Sequence, residues 1–243
     1  MHFLRQVVDW LTSGAHWTGS GGIPTLFYKQ LVLSAAVVAA GTLIGGGIGL
    51  VLGHTGRGSL LAVNAANAFR AVPTLALLTL LAIYPPISLK WNGFLCSFLA
   101  LTVLAIPPIL TNTYVGIREV DADVTDAARA MGLTGRQVMG RVELPLAIPF
   151  IMAGIRTASI EVVATSTLAA EVFYSDLGTP IIAGLNSNDS VEAFCGALLV
   201  AVMAGLVAIS LGGVIKLVTP PGTRARGRSG SLLTSAPVVE VGV

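Results

Sequence analysis

Five stretches of this chain, at about residues 30–53, 59–84, 93–117, 146–169 and 193–216, are each long and apolar enough to cross a lipid bilayer. Roughly 30 Å of hydrocarbon takes about 20 helical residues. Within lipid the backbone polar groups of such stretches must be satisfied by their own helices. The expected fold class is therefore all-α and polytopic, with a five-helix transmembrane core over residues 30–216. Composition agrees: 54% hydrophobic and 11% charged residues, with a mean hydropathy of +0.83, cannot cover a soluble surface.

The same composition excludes several classes. A net charge of +2, spread along 243 residues, does not suit nucleic acid. Cys96 and Cys195 sit in apolar runs and read as small buried hydrophobes. His2, His16 and His54 share no ligand spacing, so neither a metal nor a nucleophile–base cluster is expected. The opening "MHFLRQVVDWLTSG" alternates polar and apolar residues and lacks the continuous apolar core of a cleavable signal. Residues 1–29 read as an external amphipathic segment in the membrane interface. The end of the chain, "PPGTRARGRSGSLLTSAPVVEVGV", makes 217–243 an expected disordered tail.

Orientation follows from the basic residues, which are retained on the cytoplasmic side. If the polar insert 118–145 is cytoplasmic, then Arg57, Arg118, Arg129, Arg136, Arg141, Lys216, Arg224, Arg226 and Arg228 all fall inside. Only Arg5, Lys29 and Lys90 fall outside, while Arg70 and Arg156 lie within spans. Nine against three puts the amino terminus outside and the carboxyl terminus in the cytoplasm.

The spans are more than anchors. Gly41, Gly45, Gly49 and Gly53 recur every fourth residue on one helical face, which lets another helix approach closely. No Gly-Lys-Ser/Thr follows, so a phosphate-binding loop is the poorer reading. Pro73, Pro107, Pro108 and Pro149 are expected to kink or interrupt their helices, which is tolerated beside a cavity or protein rather than lipid. Asn64, Asn67 and Arg70 in the second span, with Arg156 and Glu161 in the fourth, are costly at depth and mark a polar path. At 1.5 Å per residue Arg70 lies roughly 18 Å and Glu161 roughly 22 Å from the cytoplasmic ends of their spans. An Arg70–Glu161 pair is one expectation; snorkelling or a bond to a backbone carbonyl is the other.

The insert itself reads "DAARAMGLTGRQVMGRVELP" over 126–145. Asp123 is placed to cap a short helix, with Asp126 near its positive end. Gly132 suits the left-handed residue that ends such a helix. Thr134 and Gln137 form a capping-box pattern for a second helix, which Pro145 closes. Ala127, Ala128 and Met131 give the first helix a smooth apolar side for a partner.

Asp126-Ala127-Ala128, then Gly132, then Val142 and Leu144-Pro145 resemble the loop motif of importer permeases of the ATP-binding-cassette class, with every interval matching. Asp stands for the family's Glu and Val for its Ile. "NAFRAVPTLALLTLL", "PPILTNTYVGIREVD", "VELPLAIPFIMAGIRTASIEVVATSTLAA" and "LGTPIIAGL" narrow the resemblance to the osmoprotectant branch, over most of 30–216. The resemblance implies a binding-protein-dependent permease subunit of the cell membrane. It would form the path for a solute such as glycine betaine, choline or carnitine, and would do no covalent chemistry itself. It implies a cytoplasmic ATPase gripping the insert, an external substrate-binding protein, a second permease copy or sister, and no cofactor beyond the ATP held by the partner. "EVFYSDLG" (171–178) departs from the branch, which has a Gly-rich stretch there. A permease for another solute (an amino acid or an oxyanion) shares the loop. An ion-driven secondary transporter would have no use for it, and shows internal repeats that this chain lacks. A membrane enzyme lacks any candidate cluster.

Overall fold

The computed structural model describes residues 2–56, 64, 68, 73–83, 93–172 and 174–219. Its elements are helices: α1 (His2–Thr12), α2 (Ile23–Gly41), α3 (Gly47–Thr55), α4 (Thr74–Ile83), α5 (Gly93–Arg118), α6 (Ala122–Ala130), α7 (Gly135–Val138), α8 (Leu144–Thr165), α9 (Thr179–Ser187) and α10 (Ser190–Val218). Short 3₁₀ and π turns join some of them. Among the described residues four continuous runs are long and apolar enough to cross a membrane: Ile23–Thr55, Gly93–Arg118, Gly135–Glu171 and Ser190–Val218. The expected second span falls largely outside the described residues, and α4 is its described end. Arg57, Asn67, Arg70, Lys90 and the tail beyond Thr219 also lie outside them.

α5 is the central helix. Leu101, Ala105 and Ile109 from α5 meet Leu33 and Val37 from α2 and Ala158 and Val162 from α8 in a fully buried cluster. The glycine face of the first span lies against α5 along its whole length. A Cβ on Gly41 would stand 2.8 Å from the Ala105 Cβ, one on Gly45 2.8 Å from the Ile106 carbonyl, and one on Gly49 2.8 Å from the Leu110 carbonyl. On Gly53 it would be 2.6 Å from the Ile117 Cβ. Backbone-to-backbone contact of this kind replaces the hydrophobic driving force that lipid does not supply. On the outer side, α10 exposes Val202, Leu206, Ile209 and Leu217. That surface suits hydrocarbon rather than water.

The structure shifts several expected boundaries and roles. The first span begins at Ile23, ahead of residue 30, because Gly22 and Pro24 supply a helix start there. Within that span Thr42–Gly46 widens into a π turn and the α-helix resumes at Gly47. Pro107, Pro108 and Pro149 do not interrupt their helices, which continue through them. Pro73 precedes α4, and its carbonyl accepts from the Leu77 N–H at 3.1 Å. A proline there removes a donor that a helix start leaves unpaired anyway.

The chain threads so that two ends of the bundle are distinct. His54, Arg118, the insert and Lys216 lie at one end; α1, Gly93, the 171–190 corner and the start of α10 lie at the other. α1 is amphipathic as expected and docks onto α10, where Val7 is buried and Phe3 packs edge-on to Phe194 at 5.4 Å.

Candidate functional site

The insert folds as one capped helix and the root of a span. Asp121, not Asp123, is the cap of α6: its Oδ1 accepts the Asp123 N–H at 3.1 Å. Asp121 has the extended ψ that a cap needs, so Asp123 becomes part of the first turn, where its charge still meets the positive helix end. Asp126 bonds to Arg129 at 3.0 Å on the exposed face. α6 ends in a Schellman turn. The Leu133 N–H reaches the Ala128 carbonyl at 3.2 Å, the Gly132 N–H reaches the Arg129 carbonyl at 2.9 Å, and Gly132 has φ +86°.

Gln137 Oε1 accepts the Thr134 N–H at 2.8 Å, giving the second start the expected box. That helix is not a separate element. It runs through a π turn, Met139–Glu143, into α8, so Pro145 sits within the span instead of closing the insert. The widened turn relieves the clash that a proline ring makes with the carbonyl four residues earlier, that of Arg141. Val142 and Leu144 are half-buried beside it and Pro145 is exposed.

Two surfaces of the insert are now distinguishable. Ala128 is buried at 3% exposure on a helix that packs against α7 and the Met139–Glu143 turn, so it does not belong to the open side. Val124, Ala127 and Met131, spaced i, i+3 and i+7, are exposed instead. At the root, the buried Glu143 carboxylate meets His54 Nδ1 at 2.7 Å, tying the insert to the end of the first span. Nothing local in the sequence signals this pair, whose members are 89 residues apart.

Of the polar residues in the spans, Arg156 donates from Nε to the Ala208 carbonyl of α10 at 3.1 Å, so a backbone carbonyl is its partner. Glu161 is half-buried on α8. Its expected pairing with Arg70 lies outside the described residues. Asn64 is helical and exposed. A buried amide that the sequence reading passed over does more: Gln30 donates to the Val163 carbonyl at 2.9 Å and accepts the Leu177 N–H at 3.1 Å.

Gln30 thereby anchors the corner that departs from the family pattern. Tyr174 donates its hydroxyl to the Lys29 carbonyl at 2.9 Å and packs on Phe94. Its phenol is pushed up to about 12 by burial and by the nearby Asp176. Asp176 is buried; its Oδ1 accepts the Gly178 N–H at 2.7 Å, while Oδ2 meets no donor among the described residues. Burial pushes Asp176 from 3.8 up to about 7, the Gly178 N–H opposing the shift. The folded state therefore holds a proton that the unfolded chain releases near pH 3.8. Stability from this group is complete below that pH and is lost as pH rises through about 7. Thermal unfolding of the purified protein in detergent should show a midpoint that falls from about pH 4 to about pH 7 and levels off above that. Asp176→Asn should flatten that part of the profile; an unchanged slope in the variant would assign the effect elsewhere.

Comparison with known proteins places this geometry. Residues 38–221 match the family described as the binding-protein-dependent transport system inner membrane component. The chain is 32% identical over 222 residues to the choline transport system permease protein OpuBB of Bacillus subtilis, covering 91% of this chain and 96% of that one. It is 31% identical over 221 residues to the carnitine transport permease protein OpuCD of Listeria monocytogenes, covering 90% and 95%. Among solved structures, a chain of the inward-facing MetNI methionine ABC transporter superposes with a TM-score of 0.71 at 22% identity, covering 79% of this chain and 94% of that one. At that identity the likeness speaks for the fold.

Proposed function

Because the chain belongs to the binding-protein-dependent transport system inner membrane components, a family of multi-pass membrane subunits, we propose that it forms half of an ATP-driven import path for a quaternary-ammonium osmoprotectant. The observation that carries this reading is the insert. Asp126-Ala127-Ala128, Gly132 and Leu144-Pro145 fall on a capped helix, a left-handed turn and the root of a span, with an apolar face left open. A cytoplasmic ATPase grips Val124, Ala127 and Met131, and its motion passes through the His54–Glu143 link and α8 into the bundle. The basic residues Arg118, Arg129, Arg136, Arg141 and Lys216 support a reading with this end in the cytoplasm, the amino terminus outside and the carboxyl terminus inside. A second permease copy or sister completes the path, and an external binding protein delivers solute to the opposite end. The chain takes no cofactor of its own, ATP being bound by the partner.

The cargo class rests on relatives whose names specify choline and carnitine. Co-expression with an ATPase and a binding protein, followed by uptake of labelled glycine betaine, choline and carnitine, tests it. ATP-dependent uptake of at least one is expected. Uptake of an amino acid or an oxyanion instead would replace the cargo, and uptake by the chain alone without an ATPase would replace the whole scheme.

A further inference from the structure

We propose that a cavity beside the Glu171 corner is a transit site for a permanently charged, methylated ammonium cation, and that Glu171 is its counter-charge. The cavity, of about 510 Å³, opens between α4, the 3₁₀ turn after α8, and α9. It lies at the end of the bundle opposite the insert, where an imported solute arrives. The volume falls within the range of small-molecule sites. Among the described residues its walls are Leu75, Ala82, Ile83, Leu168 and Ile182, and its polar lining is Thr79 and Glu171.

The donor–acceptor balance of this lining selects the ligand. Thr79 spends its hydroxyl proton on the Leu75 carbonyl at 2.8 Å, leaving only lone pairs for a guest. Glu171 is exposed and offers a carboxylate. Among the described residues the lining thus presents acceptors and one negative charge but no free side-chain donor. An oxyanion or an amino-acid carboxylate would find repulsion and nothing to bond. A trimethylammonium group needs no donor: its methyl shell is satisfied by apolar walls and its charge by one carboxylate. A hydroxylated cation such as choline can in addition donate to Glu171, whereas a zwitterion brings a second carboxylate against it.

The corner motif holds this carboxylate in place. Tyr174 on the Lys29 carbonyl and Leu177 on Gln30 pin the chain just beyond Glu171 to the first span. A Cβ on Gly178 would overlap the Thr167 backbone, so the chain closes tightly on the other side of the turn. The stretch that departs from the osmoprotectant pattern is therefore an internal brace with one outward-facing charge.

This inference rests on the proposed quaternary-ammonium cargo and is tested in the complete transporter in vesicles, per molecule of assembled complex, with choline and glycine betaine as probes. Glu171→Gln should lower choline uptake about tenfold more than betaine uptake, and Glu171→Asp should keep most of the choline preference. If the wild-type complex carries choline and Glu171→Gln leaves the choline-to-betaine ratio unchanged, the site is wrong and the proposed function stands. Wild-type uptake of betaine but not choline has the same consequence. Uptake of carnitine alone by the wild type would likewise remove the site and leave the proposed function, whereas uptake of none of the three would overturn both.

Discussion

Gly49→Leu is expected to unfold the membrane bundle, while Gly47→Leu two residues away is expected to be silent. A Cβ at Gly49 would meet the Leu110 carbonyl at 2.8 Å and the Thr113 Cβ at 2.8 Å. The first of these is backbone of a central helix and has no rotamer through which to yield. The two helices would have to separate, and the contacts at Gly45 and Gly53 would open with them. Overpacking against side chains costs about 1–3 kcal/mol; with backbone as the obstacle, about 3 kcal/mol or more is expected here. Gly47 faces outward with nothing within 4 Å of its would-be Cβ. Thermal unfolding of both variants in detergent, with protease resistance as a second readout, separates steric packing from loss of glycine as such. Equal destabilisation by the two substitutions would refute the close-packed face.

Gly132→Val should uncouple transport while leaving the protein in the membrane. Gly132 has φ +86° and open space around it, so a substituted side chain would meet no neighbour and the whole cost would lie in the backbone. A β-branched residue is the least suited to that conformation, and strain of roughly 1–3 kcal/mol follows. That is enough to undo a single Schellman turn and to swing α6 with its Val124–Ala127–Met131 face. ATP-dependent uptake should fall about tenfold or more, with stimulated ATP hydrolysis falling alongside. Gly132→Asn should retain most of the function, since asparagine tolerates the left-handed region. If valine and asparagine behave alike, the turn is not what couples the two proteins.

What could be read from the residues was local. The glycine period, the left-handed Gly132 and the Thr134–Gln137 box each depend on a few neighbouring positions, so spacing alone carried them. The errors were also local, but of a different kind. Choosing Asp121 over Asp123 as a cap depends on ψ at one residue, and both are acidic candidates within three positions. Running a helix through Pro145 depends on a π turn, for which "MGRVE" carries no composition signal. Ala127 and Ala128 are both small and read alike in the sequence; only the packing of α6 on α7 and the Met139–Glu143 turn buries one of them. The Gln30 brace and the His54–Glu143 link join residues 89 to 147 positions apart, and neither member has an unusual local context.

Long apolar runs, their lengths and the asymmetry of basic residues by themselves determined that this chain is a helical membrane protein with a soluble insert. Those properties follow from partition between water and hydrocarbon, which acts on each segment separately. Which helix is central, which face of the insert is free, and which carboxylates are buried or lining a cavity were decided only by the tertiary structure. They are properties of helices packed at particular distances and rotations, and inside lipid that packing is set by shape and a few polar contacts rather than by hydrophobicity, the quantity that a sequence displays most plainly.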